Sequence, residues 1–304
     1  MSLITNNTTS TVLSSGQDQK QNPVARALGI TLSSTSLNLV IWLPVIWILF
    51  LLFAVVFADV LPIYDPTDSD FTALKVRPSA EFWFGTDVLG RDIFSRIIYG
   101  ARISLTVGFL APVFGMIIGL TLGMVAGYYR GALESAIIGM MDIILAFPNI
   151  VLAMCILFFA GANMSNLIIV LSITSIPSNT RIARASTLVY AKREFVLAAR
   201  SQGAPNLRIL WYEILPNILL PQLVYILSFM SIIIMIEGSL AFLGVGIPPP
   251  TPTLGSMIAQ GFPDINTDPH ITFLPALILF LTVLSLNLIG DYLRNKFSVR
   301  GSAL

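Results

Sequence analysis

Between two strongly apolar stretches the chain carries a polar, punctuated segment: Glu194-Phe-Val-Leu-Ala-Ala-Arg-Ser-Gln-Gly203, then Ala204-Pro205, then Glu213-Ile-Leu-Pro216. Its residue types suit mechanical rather than bond-making work. Ala, Leu and Arg between Tyr190 and Ser201 favour helix. Gly203 is placed to stop that helix in a left-handed conformation, and Ala204-Pro205-Asn206 turns the chain. Leu207, Ile209, Leu210 and Trp211 then predict a second short helix with an apolar face. Two short helices about a glycine hinge make a knob that fits a cleft in a soluble partner. A loop lying on a membrane surface is the other reading of the same residues.

Few other groups offer chemistry. Ionisable residues inside a membrane are the default functional candidates, and here Asp142, Glu237 and Asp291 sit near the ends of apolar runs. No line of carboxylates crosses the middle of those runs, which argues against a proton- or sodium-coupled carrier. Asn163, Asn166 and Asn287 suit either a polar cargo or hydrogen bonds between helices. One cysteine (Cys155) and one histidine (His270) exclude a zinc or dithiol centre. The chain lacks G-x-x-x-x-G-K-[ST], H-E-x-x-H and G-x-S-x-G, so no catalytic residue, metal ligand or P-loop nucleotide site is assigned. A conduit built this way must borrow its energy, and the segment 178–216 is where it would enter.

The elements that position these residues are membrane helices. Of 304 residues, 55% are hydrophobic and only 11% charged, against about 25% charged in soluble domains. Mean hydropathy is +0.83. The net charge of +1 gives no nucleic-acid footprint. Residues 1–30 are Ser-, Thr-, Asn- and Gln-rich without an apolar core, and read as a disordered tail rather than a signal peptide. Asn6 and Asn7 match a glycosylation sequon that the topology places inside. A membrane-spanning body follows over 31–304, with apolar runs at 39–58, 103–126, 143–160, 163–177, 218–236 and 271–289. They predict an all-α protein of six transmembrane helices. Lys and Arg favour one side: Lys20, Arg26, Arg130, Arg181, Arg184, Lys192, Arg193, Arg200, Arg208, Arg294, Lys296 and Arg300 face the cytosol if both termini do. The segment from Asp59 to Arg102 breaks the bias, and 91–99 has the spacing of an amphipathic helix lying in the interface. Gly115, Gly119, Gly123 and Gly127 form a stripe that admits a close helix neighbour. That neighbour is either within the bundle or a second membrane subunit; a pore-lining stripe is the remaining reading. Prolines at 44, 112, 148, 177, 221 and 275 add kinks.

The polar segment resembles the EAA signature of binding-protein-dependent ABC importer permeases. Ala198-Ala199, Gly203 and Leu215-Pro216 match in register, whereas Leu197 stands at the motif's Glu and Glu213 at its Ile. Phe84-Gly-Thr-Asp-Val-Leu-Gly-Arg-Asp-Ile-Phe-Ser-Arg96, Tyr99-Gly-Ala-Arg-Ile-Ser-Leu105, Phe242-Leu-Gly-Val-Gly246, Pro248-Pro-Pro-Thr-Pro252 and Asn287-Leu-Ile-Gly-Asp-Tyr-Leu-Arg294 are similar to the second permease of dipeptide and oligopeptide importers. The likeness runs from about residue 40 to the C-terminus. It implies a type I importer permease fold in a bacterial inner membrane. It also implies a partner permease, two ATPase subunits that carry the ATP and Mg, and an extracytoplasmic binding protein; membrane lipid surrounds the chain, which itself binds no cofactor. The coupling loop would comprise Glu194, Ala198, Ala199, Gly203, Ala204, Pro205, Leu215 and Pro216. The implied cargo is a di- or oligopeptide, with glutathione or a nickel chelate as the family alternative. A self-sufficient channel or carrier, or a receptor that moves nothing, are the readings from other classes.

Overall fold

Asp92 begins the central helix. Its carboxylate accepts a hydrogen bond from the Ser95 amide at 2.8 Å, which satisfies one of the amides that a helix N-terminus leaves open. The helix that follows runs unbroken for 37 residues. The computed structural model describes residues 34–301; the 1–30 tail, with Asn6 and Asn7, lies outside the described residues. Two units are distinguished, Met1–Leu43 and Pro44–Leu304. The described part of the first is the opening of helix α1, and the remainder concerns the second.

In chain order the helices are α1 (Ser34–Val56), α2 (Ile93–Tyr129), α3 (Gly131–Leu145), α4 (Asn149–Ala160), α5 (Met164–Tyr190), α6 (Glu194–Ser201), α7 (Asn206–Phe242), α8 (Leu254–Gly261) and α9 (Pro269–Gly301). Among the described residues no strand forms, only an isolated bridge between Thr86 and Asp92. Helices α2, α7 and α9 are long and apolar enough to cross a membrane, as is the bent pair α3–α4 if counted as one span.

Several boundaries differ from those expected, each for a physical reason. The run 103–126 is part of a helix that starts ten residues earlier, at Ile93. Ile93, Ile97 and Ile98 are buried there, so 91–99 is not a separate helix in the interface but the root of α2. The run 143–160 is broken: α3 and α4 meet at 82°. Pro148 supplies no amide and biases Phe147 away from helix. The run 163–177 continues through Pro177 to Tyr190. The segment 178–216 is therefore mostly helix ends, and only 191–205 lies between long helices. The runs 218–236 and 271–289 lie within α7 and α9, which extend beyond them at both ends, while α1 starts before the run 39–58 and stops at Val56, short of its end.

Helix α2 carries the core. Leu105 and Met116 meet Met230 and Ile234 of α7, Met257 of α8 and Leu286 of α9. Val107 and Ala111 meet Leu157 of α4 and Leu171 of α5. Leu120 and Met124 meet Ala183 of α5 and Ile214 of α7.

The glycine stripe decides how close α2 and α5 come. A Cβ at Gly115 would stand 1.7 Å from the Ser175 hydroxyl, at Gly119 2.6 Å from Asn179 Cβ, at Gly123 2.4 Å from the Thr180 carbonyl oxygen, and at Gly127 2.8 Å from that of Arg184. Glycine in a helix costs roughly 0.5–1 kcal/mol relative to alanine, whereas forced overpacking costs about 1–3 kcal/mol per site. Packing wins, and the stripe lies against a helix of its own chain. The facing side of α5 is polar but internally satisfied. Ser175, Asn179, Thr180 and Thr187 each donate to a carbonyl three or four residues back. Such back-bonding keeps hydroxyl and amide groups from being stranded.

Candidate coupling site

Helix α6 is short, eight residues, and one of its side chains is fully buried. Val196 is fully buried among Leu120, Met124, Ala183, Ile209, Leu210, Ile214 and Ile218; burial of a side chain of this kind contributes about 1.5–3 kcal/mol. Glu194 in the first turn and Arg200 in the last oppose the helix dipole favourably. The helix ends on Gly203 at φ +79°. The Gly203 amide donates to the Arg200 carbonyl at 3.0 Å and the Ala204 amide to the Ala199 carbonyl at 3.1 Å. These two bonds are the Schellman pair that a left-handed residue makes possible. No atom would obstruct a Cβ at Gly203, so backbone conformation alone selects glycine there.

The expected second short helix is absent as a separate element. Asn206–Arg208 leads through a π-helical turn, Ile209–Ile214, into the long part of α7. Pro216 explains the wide turn, because it has no amide to offer the Tyr212 carbonyl and its ring crowds that oxygen. Within this turn Ile209, Leu210 and Ile214 are buried while Trp211 and Tyr212 are exposed.

A third element fixes the knob. The Tyr128 hydroxyl, near the end of α2, accepts from Arg200 Nη2 at 3.1 Å and donates to Asn206 Oδ1 at 2.8 Å. The end of α6 and the start of α7 are thus tied to one ring. Behind it, Arg184 of α5 pairs with Glu134 of α3 and Arg181 with Asp142. Asp142 is therefore an ion-pair partner at a helix end.

The anticipated residues are placed as follows. Glu194, Ala198, Gly203, Pro205 and Pro216 are exposed, and Ala199, Ala204 and Leu215 are half-buried against the cluster around Val196. Leu197, at the motif's Glu position, is exposed, as are Phe195 and Leu207. Together they present an apolar, rigidly mounted surface at one end of α2 and α5. Sequence reasoning placed Asn206 only in the turn and missed Tyr128, whose one signal was that it directly follows the last stripe glycine.

The segment between α1 and α2 is built on buried charge. Arg91 pairs with Asp87 at 2.7 Å, and Arg96 approaches the same carboxylate at 3.4 Å. Arg91 also donates to Gln260 of α8 at 3.1 Å, and Arg96 to the Pro66 carbonyl at 3.0 Å. All three charged side chains are at least nine-tenths buried. The Phe84–Arg96 motif is thus a folding element that joins this segment to α8. Hydrogen bonds from Arg102 and then Tyr99 hold the Asp59 carboxyl below its ordinary range, and those from Thr67 and Thr72 do the same for Asp65 and Asp70.

Glu237 is fully buried in α7, not at an exposed helix end; its Oε2 accepts from Ser104 at 3.0 Å and its Oε1 has no partner among the described residues. Asn163 caps α5, Asn166 donates to the Ala160 and Gly161 carbonyls, and Asn287 accepts from Ser231 of α7. Among the described residues no group of three or more His, Cys, Asp or Glu is placed to hold a metal.

A bundle of apolar helices around a glycine-packed pair, with one short helix mounted outside it, is the architecture of a helical membrane protein. The chain belongs to the family of binding-protein-dependent transport system inner membrane components, which it matches over residues 119–299. It is 41% identical over 247 residues to the glutathione transport system permease protein GsiD of Pectobacterium atrosepticum, covering 81% of this chain and 82% of the relative. It is 42% identical over 218 residues to the dipeptide transport system permease protein DppC of Alkalihalophilus pseudofirmus, covering 72% of each. Its fold is similar to a chain of the MetNI methionine ABC transporter in an inward-facing conformation, with TM-score 0.55 and 20% identity over 66% of this chain and 95% of that one.

Proposed function

We propose that this chain is the membrane-spanning, pore-forming subunit of an ATP-driven importer for small peptides, glutathione included. The observation that carries the reading is α6: a short helix clamped by Val196 and Tyr128, with Phe195, Leu197 and Ala198 left outward. A rigidly mounted helix transmits force by rigid-body contact. The relatives named for dipeptide and glutathione transport support the cargo class.

On this reading α1, α2, the bent α3–α4 pair, α5, α7 and α9 are the six spans, with both termini and α6 in the cytosol. ATP and Mg belong to two ATPase subunits that grip α6 through the surface formed by Glu194, Ala198, Ala199, Gly203, Ala204 and Pro205, with Leu215 and Pro216 as its support. A second permease completes the pore, an extracytoplasmic binding protein delivers substrate, and this chain performs no catalysis. Reconstitution in liposomes tests it. The chain alone should import neither a labelled dipeptide nor glutathione, and the full set of subunits with ATP should import at least one. Uptake by the chain alone would replace this reading with a self-sufficient carrier.

A further inference from the structure

A cavity of about 330 Å³ opens in the folded segment between α1 and α2, walled by Tyr64, Trp83 and Phe94 and edged by Glu81 and Asp92. Its walls are fixed. Trp83 packs on Phe94 with ring centroids 5.1 Å apart, Phe94 meets Phe84 edge-on at 5.1 Å, and Tyr64 packs on Phe82 at 5.4 Å. Trp83 is nevertheless 65% exposed, so its ring is available to a visitor.

The two carboxylates differ from most of the acids around them, Asp68 being the other one in this segment with no ion pair among the described residues. Asp59 is paired with Arg102, Asp87 with Arg91 and Arg96, and Asp264 with Lys75. Asp65 and Asp70 are occupied by threonines. Glu81 and Asp92 have no cation among the described residues. Asp92 is only 5% exposed, and while its Oδ2 is used by the Ser95 amide, its Oδ1 accepts no hydrogen bond from a described residue. The start of α2 offsets part of its charge, and its second oxygen is left to the cavity that Asp92 lines. Aromatic faces beside unpaired carboxylates form a receptor for an ammonium or guanidinium group. An anion would be repelled, and a neutral apolar guest would leave Asp92 desolvated.

The surroundings point to the source of that cation. Residues 57–102 hold seven acids (59, 65, 68, 70, 81, 87, 92) against five bases (75, 77, 91, 96, 102), a balance of −2, and 243–268 adds Asp264 and Asp268 with no base. The whole surface favours a basic macromolecular face, and oppositely charged faces steer association. We infer that this cavity receives a lysine or arginine side chain of the extracytoplasmic binding protein. The inference rests on the importer reading, which puts this face outside the cell.

The test uses the complete importer in nanodiscs, titrated with its substrate-loaded binding protein. Glu81 and Trp83 are exposed, so Glu81→Gln with Trp83→Ala should leave folding, subunit assembly and basal ATP hydrolysis unchanged. Binding-protein affinity should fall roughly tenfold, and its dependence on salt should flatten. Glu81→Lys should weaken binding further and be rescued by reversing the facing cation on the binding protein. If the unaltered importer does not bind the protein at all, the importer reading itself falls. If it binds and the double variant binds equally well, only the cavity assignment is wrong. Unchanged affinity with a raised KM for substrate would mean that the cation is the cargo's own ammonium, which also overturns the assignment.

Discussion

The Arg200 guanidinium donates to the Tyr128 hydroxyl at 3.1 Å and lies 5.4 Å from the centre of the same ring. One ring therefore holds the last turn of α6, and through Asn206 the first turn of α7. Tyr128→Phe keeps the ring and removes both hydrogen bonds, each with a net contribution of about 1 kcal/mol. Expression and ATPase association should persist, while peptide uptake per ATP hydrolysed falls severalfold. An unchanged ratio of uptake to hydrolysis would show that the knob does not need this tie.

Gly203 offers a sharper perturbation. At φ +79° an alanine costs about 1–2 kcal/mol through its backbone alone. Proline is worse, since its φ is fixed near −65° and it removes the amide that binds the Arg200 carbonyl. Gly203→Ala should weaken coupled uptake partially and Gly203→Pro should abolish it. Glu213→Ala is the control and should be nearly silent, because the recorded hydrogen bond at this residue is the one its carbonyl accepts from Asn217. Equal activity of the two Gly203 variants in ATP-driven uptake would refute the capping argument.

Gly123→Ala tests the α2–α5 contact. Its new Cβ would meet the Thr180 carbonyl at 2.4 Å, an obstacle that is backbone and cannot rotate away. The variant should lose about 1–3 kcal/mol, read as a lower melting temperature of the detergent-purified protein. Gly139→Ala, where nothing stands within 4 Å, should be neutral or slightly stabilising. Equal melting of the two would mean that α2 and α5 do not pack this closely.

The buried Glu237 makes a fourth case. Glutamine retains an acceptor for Ser104 and removes the cost of placing a charge there. Leucine takes away the acceptor of the Ser104 hydroxyl proton, leaving only the bond that its oxygen accepts from the Leu254 amide. Glu237→Gln should accumulate in membranes at least as well as the parent and Glu237→Leu markedly less. The reverse order, seen on quantitative blots, would show that the carboxylate itself is required.

How much of this could be read in the chain depends on where each partner lies. Gly203 was legible because a single residue type at a helix end carries its own conformational meaning. The stripe from Gly115 to Gly127 was legible as a close-packing face, but not its partner. Helix α5 reads as a poor span because Ser172, Ser175, Asn179 and Thr180 turn inward and bond their own backbone. The early start of α2 was hidden for a related reason. Arg91 and Arg96 look like residues outside a membrane helix until Asp87, Gln260 and the Pro66 carbonyl are brought to them from distant positions. Pro148 was visible as a kink, yet neither the 82° angle nor the pairs that tie α3 to Arg181 and Arg184 of α5, distant in sequence, could be read there.

The central claim is that α6 is the contact with the ATPases, and site-directed cross-linking tests it most directly. In a Cys155→Ala background, which removes the chain's only cysteine, Ala198→Cys is exposed on α6 and available to a short bifunctional reagent. With all subunits co-expressed in native membranes, Ala198→Cys should link to an ATPase subunit and change its yield on addition of ATP. A cysteine at position 198 that instead reacts with a membrane-impermeant thiol reagent in intact cells, and never links to an ATPase, would contradict the account.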